Sequence, residues 1–284
     1  MIRIPLGEYV ETGIDYLTAN FASFFNGLKT MLMTTVGGFE FVFTTIPPII
    51  IIIALALLAW RLTRKKSVAI FAVLGLLLIQ SLGLWPETMS TLALVVTATL
   101  IAVIIGLPVG ILMSRYGVLN KIIRPILDFM QTMPAFVYLI PAVYFFDLGQ
   151  APGIVATVIF AMPPVVRLTN LGIRQVPKDV IEAAQAFGST SRQLLFKVQM
   201  PLAMPTILAG LNQTIMLSLS MVVISAMIGS GGLGDVVLKG ITQMKMGLGF
   251  EGGVAVVILA MLLDRITQGL GGYKRRDKKA SKKI

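Results

Sequence analysis

The sequence predicts an all-α, polytopic integral membrane protein with about seven transmembrane helices. Three observations lead there. The 284 residues are 56% hydrophobic and only 13% charged, against about 25% charged in a typical soluble domain. Mean hydropathy is +0.87. Long apolar runs recur along the chain, and basic residues gather beside alternate ones, which is the positive-inside pattern. The net charge of +11 therefore reads as membrane topology, not as affinity for nucleic acid.

A spanning helix needs about 20 mostly apolar residues. Candidates fall at residues 43–60, 68–84, 89–113, 131–146, 152–166, 206–229 and 252–263. The first opens on Pro47 and Pro48, tolerated in a first turn. The third contains Pro108, and the fourth is short. Twenty basic residues follow the first, third, fifth and seventh runs, among them Arg61, Arg115, Arg167, Arg174 and Arg265. The opposite side holds four: Arg3, Lys29, Lys239 and Lys245. This asymmetry places the N-terminus outside and the C-terminus in the cytoplasm of an inner or plasma membrane.

The regions outside the spans follow from the same reading. In residues 1–42, Glu8, Glu11 and Asp15 interrupt any signal-peptide core. That segment reads as an amphipathic extracytoplasmic helix on the membrane surface, or as a soluble lead-in. Residues 43–84 supply two accessory spans. Residues 269–284 form a basic cytoplasmic tail suited to anchoring against anionic lipid.

Composition also removes whole classes of chemistry. The chain has neither cysteine nor histidine, so disulfides, thiol catalysis, the usual zinc sites and imidazole acid–base chemistry are excluded. No apolar span carries a charge in its interior; Asp128 and Asp264 fall at cytoplasmic ends. This argues against a proton relay, while sodium coupling through backbone carbonyls stays open. No phosphate-binding Gly-x-x-x-x-Gly-Lys-Ser/Thr loop exists. The chain reads as a non-enzyme without a metal or cofactor of its own, and ATP and magnesium would belong to a partner.

Residues 167–205 are too polar to span and rich in helix signals. Pro177 suits a first helical position, and Asp179 favours the positive end of a helix. Helix formers run to Phe187, and Gly188 suits a left-handed position just past a helix end. Thr190 with Gln193 matches a capping box opening a second helix, with Pro201 soon after its end. The expectation is helix, glycine elbow, helix, all in the cytoplasm. Such an element serves either as a rigid contact for a soluble partner or as an ordinary surface hairpin.

The stretch EAAQAFGSTSRQLLFKVQMP, residues 182–201, resembles the EAA loop of ABC importer permeases. Glu182, Ala183, Ala184, Gly188, Val198, Met200 and Pro201 fall on that pattern, with valine and methionine replacing the commoner isoleucine and leucine. Three further stretches resemble glycine betaine/proline-type permeases: MQTMPAFVYLIPAVYFF at 130–146, IFAMPPVVRLTNLGIRQVP at 159–177 and LSMVVISAMIGSGGLG at 219–234. The resemblance covers roughly residues 85–268. It implies a type I importer permease domain there, with a coupling helix in the loop that docks on an ATPase. It also implies a second permease copy, two ATP-binding subunits and an extracytoplasmic substrate-binding protein. The substrate class, a betaine-like osmolyte, comes from the resemblance alone.

A zwitterionic solute needs a pathway without strong fixed charge. Gln131, Asn212, Gln213, Ser218, Ser220 and Ser225 are candidates for lining it, although helix–helix hydrogen bonding explains such residues equally well. Phe136 and Tyr138 suit cation–π contact with a quaternary ammonium, or an interfacial aromatic belt. The glycines between 229 and 234 should break the sixth span near the outer surface, as a hinge or a plain loop. The alternative function is a secondary transporter or channel for small zwitterions without an ATPase; a non-transporting scaffold is a third.

Overall fold

The computed structural model describes residues 5–280, for Leu6 and residues 271–280 the backbone alone. Of the basic tail expected at 269–284, the backbone up to Ala280 belongs to α13 and residues 281–284 lie outside the described residues. Among the described residues every regular element is helical. In order they are α1 Leu6–Asn20, α2 Ala22–Thr45, α3 Pro48–Thr63, α4 Lys66–Ser81, α5 Trp85–Arg115, α6 Gly117–Thr132 and α7 Ala135–Phe146. There follow α8 Gln150–Arg174, α9 Lys178–Ala186, α10 Ser191–Gln193, a π-helical stretch Leu194–Gln199, α11 Met200–Ser225, α12 Leu233–Thr242 and α13 Met246–Ala280.

Each apolar run coincides with a helix in the expected order: α3, α4, α5, α7, α8, α11 and α13. Four helices are long and apolar enough to cross a bilayer alone: Trp85–Arg115, Gln150–Arg174, Ser191–Ile228 and Met246–Leu270. The count reaches six if α2 with α3 and α6 with α7 each form one bent span. Helix α4, 16 residues, is apolar but shorter.

Both bends sit at prolines. Residues 1–42, expected as a surface segment, contain most of the 24-residue helix α2, which turns by 105° into α3. Pro47 precedes α3 and Pro48 opens it, because proline lacks the N–H that would continue α2 and forces the residue before it out of helical conformation. The expected span at 131–146 is divided in the same way. Met133 is extended before Pro134, and α6 meets the 12-residue α7 at 101°.

Helix α8 lies between α5 and α11 at the centre, and small residues bring the three together. A Cβ on Gly106 or Gly110 of α5 would fall 2.6 Å from Val165 Cγ1 or 2.7 Å from Thr169 Cβ of α8. One on Gly210 of α11 would fall 3.0 Å from Leu168 Cβ. Close backbone approach of this kind is how helices associate where lipid supplies no hydrophobic drive. Some buried hydroxyls are returned to their own helix, as Thr88 to the Leu84 carbonyl at 2.7 Å and Thr157 to that of Gly153 at 2.6 Å. This meets the demand that donors in hydrocarbon be satisfied internally. The outward faces of α3, α4 and α5 expose Ile50, Leu57, Leu74 and Ile104, as a lipid-facing surface requires.

Two expectations about α11 need correction. Pro201 does not end the helix after the elbow. The backbone widens into a π-helical stretch, Met200 N–H bonding back to the Leu195 carbonyl, and the chain runs on without a break into the membrane. A π turn tolerates interruption of the i→i−4 ladder, so Pro201 is absorbed at its end; Pro205 lies further on, inside α11. The helix does break at the glycines: Gly229, Gly231 and Gly232 have φ of +80°, +78° and +72°. Beyond them, where the sequence suggests a hinge or the start of a plain loop, stands α12, a ten-residue helix.

Candidate functional site

The elbow is built almost entirely from local signals. Helix α9 has nine residues, none of them buried, and isolated helices this short are marginal in water. Its ends are correspondingly well tied. Pro177 is the cap residue just outside α9, not its first helical residue as expected, and Asp179 lies in the first turn. At the other end the N–H of Ser189 bonds the Ala184 carbonyl at 3.1 Å and that of Gly188 bonds Gln185 at 2.9 Å. With Gly188 at φ +77° this is a complete Schellman motif. The capping box follows: Gln193 N–H donates to Thr190 Oγ1 at 3.3 Å, and Thr190 N–H to Gln193 Oε1 at 2.9 Å.

The elbow stands proud of the molecule. Glu182, Ala183 and Gly188 are exposed, and Phe187 at the tip is 92% exposed. Ala184, Val198 and Met200 are half-buried, and Pro201 is exposed. The feet are anchored by a buried cluster of Ile173, Leu195, Ala203 and Ile207, packed against Leu107 and Ile111 of α5.

Polar links sort the helix ends into two groups. At the elbow's end, Arg167 reaches Asp128 at 2.6 Å and Gln131 at 2.8 Å, and Arg115 reaches the Ser191 carbonyl at 3.0 Å. At the opposite end, Lys29 pairs with Asp147 at 2.6 Å and Gly149 N–H bonds the Ile228 carbonyl at 2.9 Å. There too the Leu233 N–H donates to Thr91 Oγ1 at 2.8 Å, which seats the start of α12 on α5. Lys239 pairs with Asp235 at 2.7 Å, and that hydrogen bond and charge hold its ammonium above the usual lysine range.

The residues singled out for the pathway do not converge. Gln131 accepts from Arg167, and Asn212 donates to Asp264 at 3.0 Å and accepts from Thr267. Ser218 is buried against Thr99 at 3.3 Å, and Ser225 against Ser230 at 2.7 Å. Tyr138 is buried, its hydroxyl on the Met130 carbonyl and its ring edge-on to Phe160. Phe136, Gln213 and Ser220 are exposed. A cleft of about 270 Å³ between α5, α11 and α13 is instead lined by Val95, Leu100, Leu211, Ile215 and Leu263, with Thr99 as its hydroxyl. Sequence reasoning missed Thr91 and α12; glycines followed by Asp235 are the start signal that marks that helix.

Comparison with known proteins is decisive at this point. Residues 102–273 match the family model "Binding-protein-dependent transport system inner membrane component". The chain belongs to this family. Among its relatives, the Bacillus subtilis glycine betaine transport system permease protein OpuAB is 52% identical over 96% of both chains. The Escherichia coli glycine betaine/proline betaine transport system permease protein ProW is 51% identical, over 96% of this chain and 77% of that protein. The Listeria monocytogenes glycine betaine/carnitine transport permease protein GbuB is 51% identical over 93% and 95%. A solved inward-facing structure of the MetNI methionine ABC transporter aligns with TM-score 0.59 at 24% identity, covering 66% of this chain and 95% of that one; it shows the fold. The permease is thus a multi-pass inner-membrane protein of the type I importer fold, and the resemblance to glycine betaine/proline-type importer permeases holds.

Proposed function

We propose that this permease forms the translocation pathway of an ATP-driven importer for glycine betaine or a related osmoprotectant. The elbow at 178–193, with the stretch that follows it to Pro201, is its coupling element, docking on an ATP-binding subunit that carries ATP and magnesium. Glu182, Ala183, Ala184, Gly188, Val198 and Pro201 belong to that element. The observation that carries this reading is a self-capped α9 with no buried residue leading into α11, in a chain whose full-length relatives are named as betaine permeases. A short helix without buried residues keeps one shape only if its caps define it, and a fixed shape projecting into water suits a docking partner. The assembly contains two permease copies, two ATP-binding subunits and an extracytoplasmic binding protein, with the N-terminus outside. Nothing in the fold or the relatives favours a secondary transporter.

The test is uptake of labelled glycine betaine, proline betaine, choline, carnitine and proline by the co-reconstituted complex. Uptake of one or more betaines that requires ATP is expected. Uptake by the permease alone in ATP-free liposomes would overturn the reading.

A further inference from the structure

The elbow is joined covalently to α8 at one foot and to α11 at the other. Its feet nevertheless rest on a third helix, since the cluster that Ile173 and Leu195 form with Ala203 and Ile207 has Leu107 and Ile111 of α5 packed against it. Two arginines extend that contact to the surface. Arg174, the last residue of α8, donates through Nη2 to the carbonyl of Met113 at 3.0 Å. Two residues further along α5, Arg115 donates through Nη2 to the carbonyl of Ser191, also at 3.0 Å. Ser191 is the first residue after the Thr190 cap.

The chemistry of these links is specific. Met113 lies in the last turn of α5, where carbonyls lack intrahelical partners and the helix end is negative. A guanidinium therefore gains both a hydrogen bond and a favourable dipole there. Both acceptors are main-chain carbonyls, so the links report backbone position and not side-chain rotamer. The planar guanidinium holds its donors in a fixed fork, which a lysine ammonium cannot do. Together they form a relay from α8 to α5 to the start of the helix that enters the membrane.

We propose that Arg115 and Arg174 are positioning residues for coupling, stapling the elbow to α5 so that its displacement reaches a helix to which it is not covalently joined. Helix α5 packs directly on α8 through Gly106 and Gly110, so what moves α5 bears on the central packing. This inference rests on the coupling role proposed for the elbow.

The experiment measures ATP hydrolysis and uptake together in proteoliposomes of the full complex, using labelled glycine betaine or whichever of the five osmolytes the parental complex transports. R115A, R115K, R174K and G188V are compared. R115A should keep its ATPase activity and lose roughly three- to tenfold in uptake per ATP, the range set by one hydrogen bond of ordinary net strength at an exposed site. R115K and R174K, each retaining a donor, should lose less. If R115A matches the parental ratio while G188V uncouples, the staple is overturned and the coupling element stands. If G188V also matches the parental ratio, the coupling reading falls and the staple falls with it. If R115A lowers only the yield of assembled complex at an unchanged ratio, Arg115 is merely structural and the proposal is overturned.

Discussion

A Cβ has different consequences at two glycines of this permease. At Gly188 an added Cβ would meet nothing within 4 Å, yet φ is +77°. The cost there is purely conformational, of order 1–3 kcal/mol for a non-glycine residue and greatest for a β-branched one. Gly188→Val should therefore keep the protein inserted while reducing transport per ATP, and Gly188→Asn should be milder because asparagine tolerates the left-handed region. Glu182→Lys, on an exposed carboxylate of α9, should weaken docking on a basic partner and reduce coupling several-fold. Paired ATPase and uptake assays check all three; parental ratios throughout would remove the elbow from the mechanism. At Gly232, φ is +72° and a Cβ would lie 2.5 Å from Thr91 Oγ1. Gly232→Ala should therefore destabilise the fold by about 2 kcal/mol, seen as a lower melting temperature in detergent with the uptake-per-ATP ratio of surviving protein unchanged.

At the scale of elements, the polar links divide helix ends into the two groups that the basic residues anticipate. A cysteine introduced at Lys239 should react in intact cells with reagents confined to the outside, and one at Lys178 should not. Reversed labelling would put the elbow on the wrong side of the membrane for an ATPase. Much of this level was legible. Apolar runs marked the helices in order, and Gly188, Thr190 and Gln193 marked the elbow, because caps are local hydrogen-bond chemistry written within six residues. What escaped was set by backbone adjustment and tertiary contact. Pro201 looks like a stop signal, but widening to a π-helical stretch accommodates it. Pro134 turns one apolar run into a corner. Helix α12 is too short to register by hydropathy and depends on a bond to Thr91 from 142 residues away. The pathway was the least legible part: Asn212, Ser218 and Ser225 each have a partner within the chain, and a serine that joins helices looks in sequence the same as one that faces a solute.

For the whole molecule, the expected outcome is assembly. The chain carries one elbow and no phosphate-binding loop, so it should copurify with ATP-binding subunits at a ratio of one permease to one ATPase chain, two of each per complex. Mass measurement of the detergent-solubilised complex decides this; a stable complex with a single permease copy would refute it. From Ser191 to Ile228 the chain is one helical run of 38 residues, about 57 Å of contour at 1.5 Å per residue, nearly twice the roughly 30 Å thickness of a bilayer's hydrocarbon. Its first turn is the capped elbow and its last abuts the glycine break at 229. A rod that overhangs the membrane by that much trades angle for distance: a tilt of about 5° around its middle carries each tip some 2.5 Å, comparable to the 1–2 Å helix shifts that suffice to switch packed interfaces. Seen as a beam, the run from Ser191 to Ile228 is long enough to give both faces of the bilayer a common part.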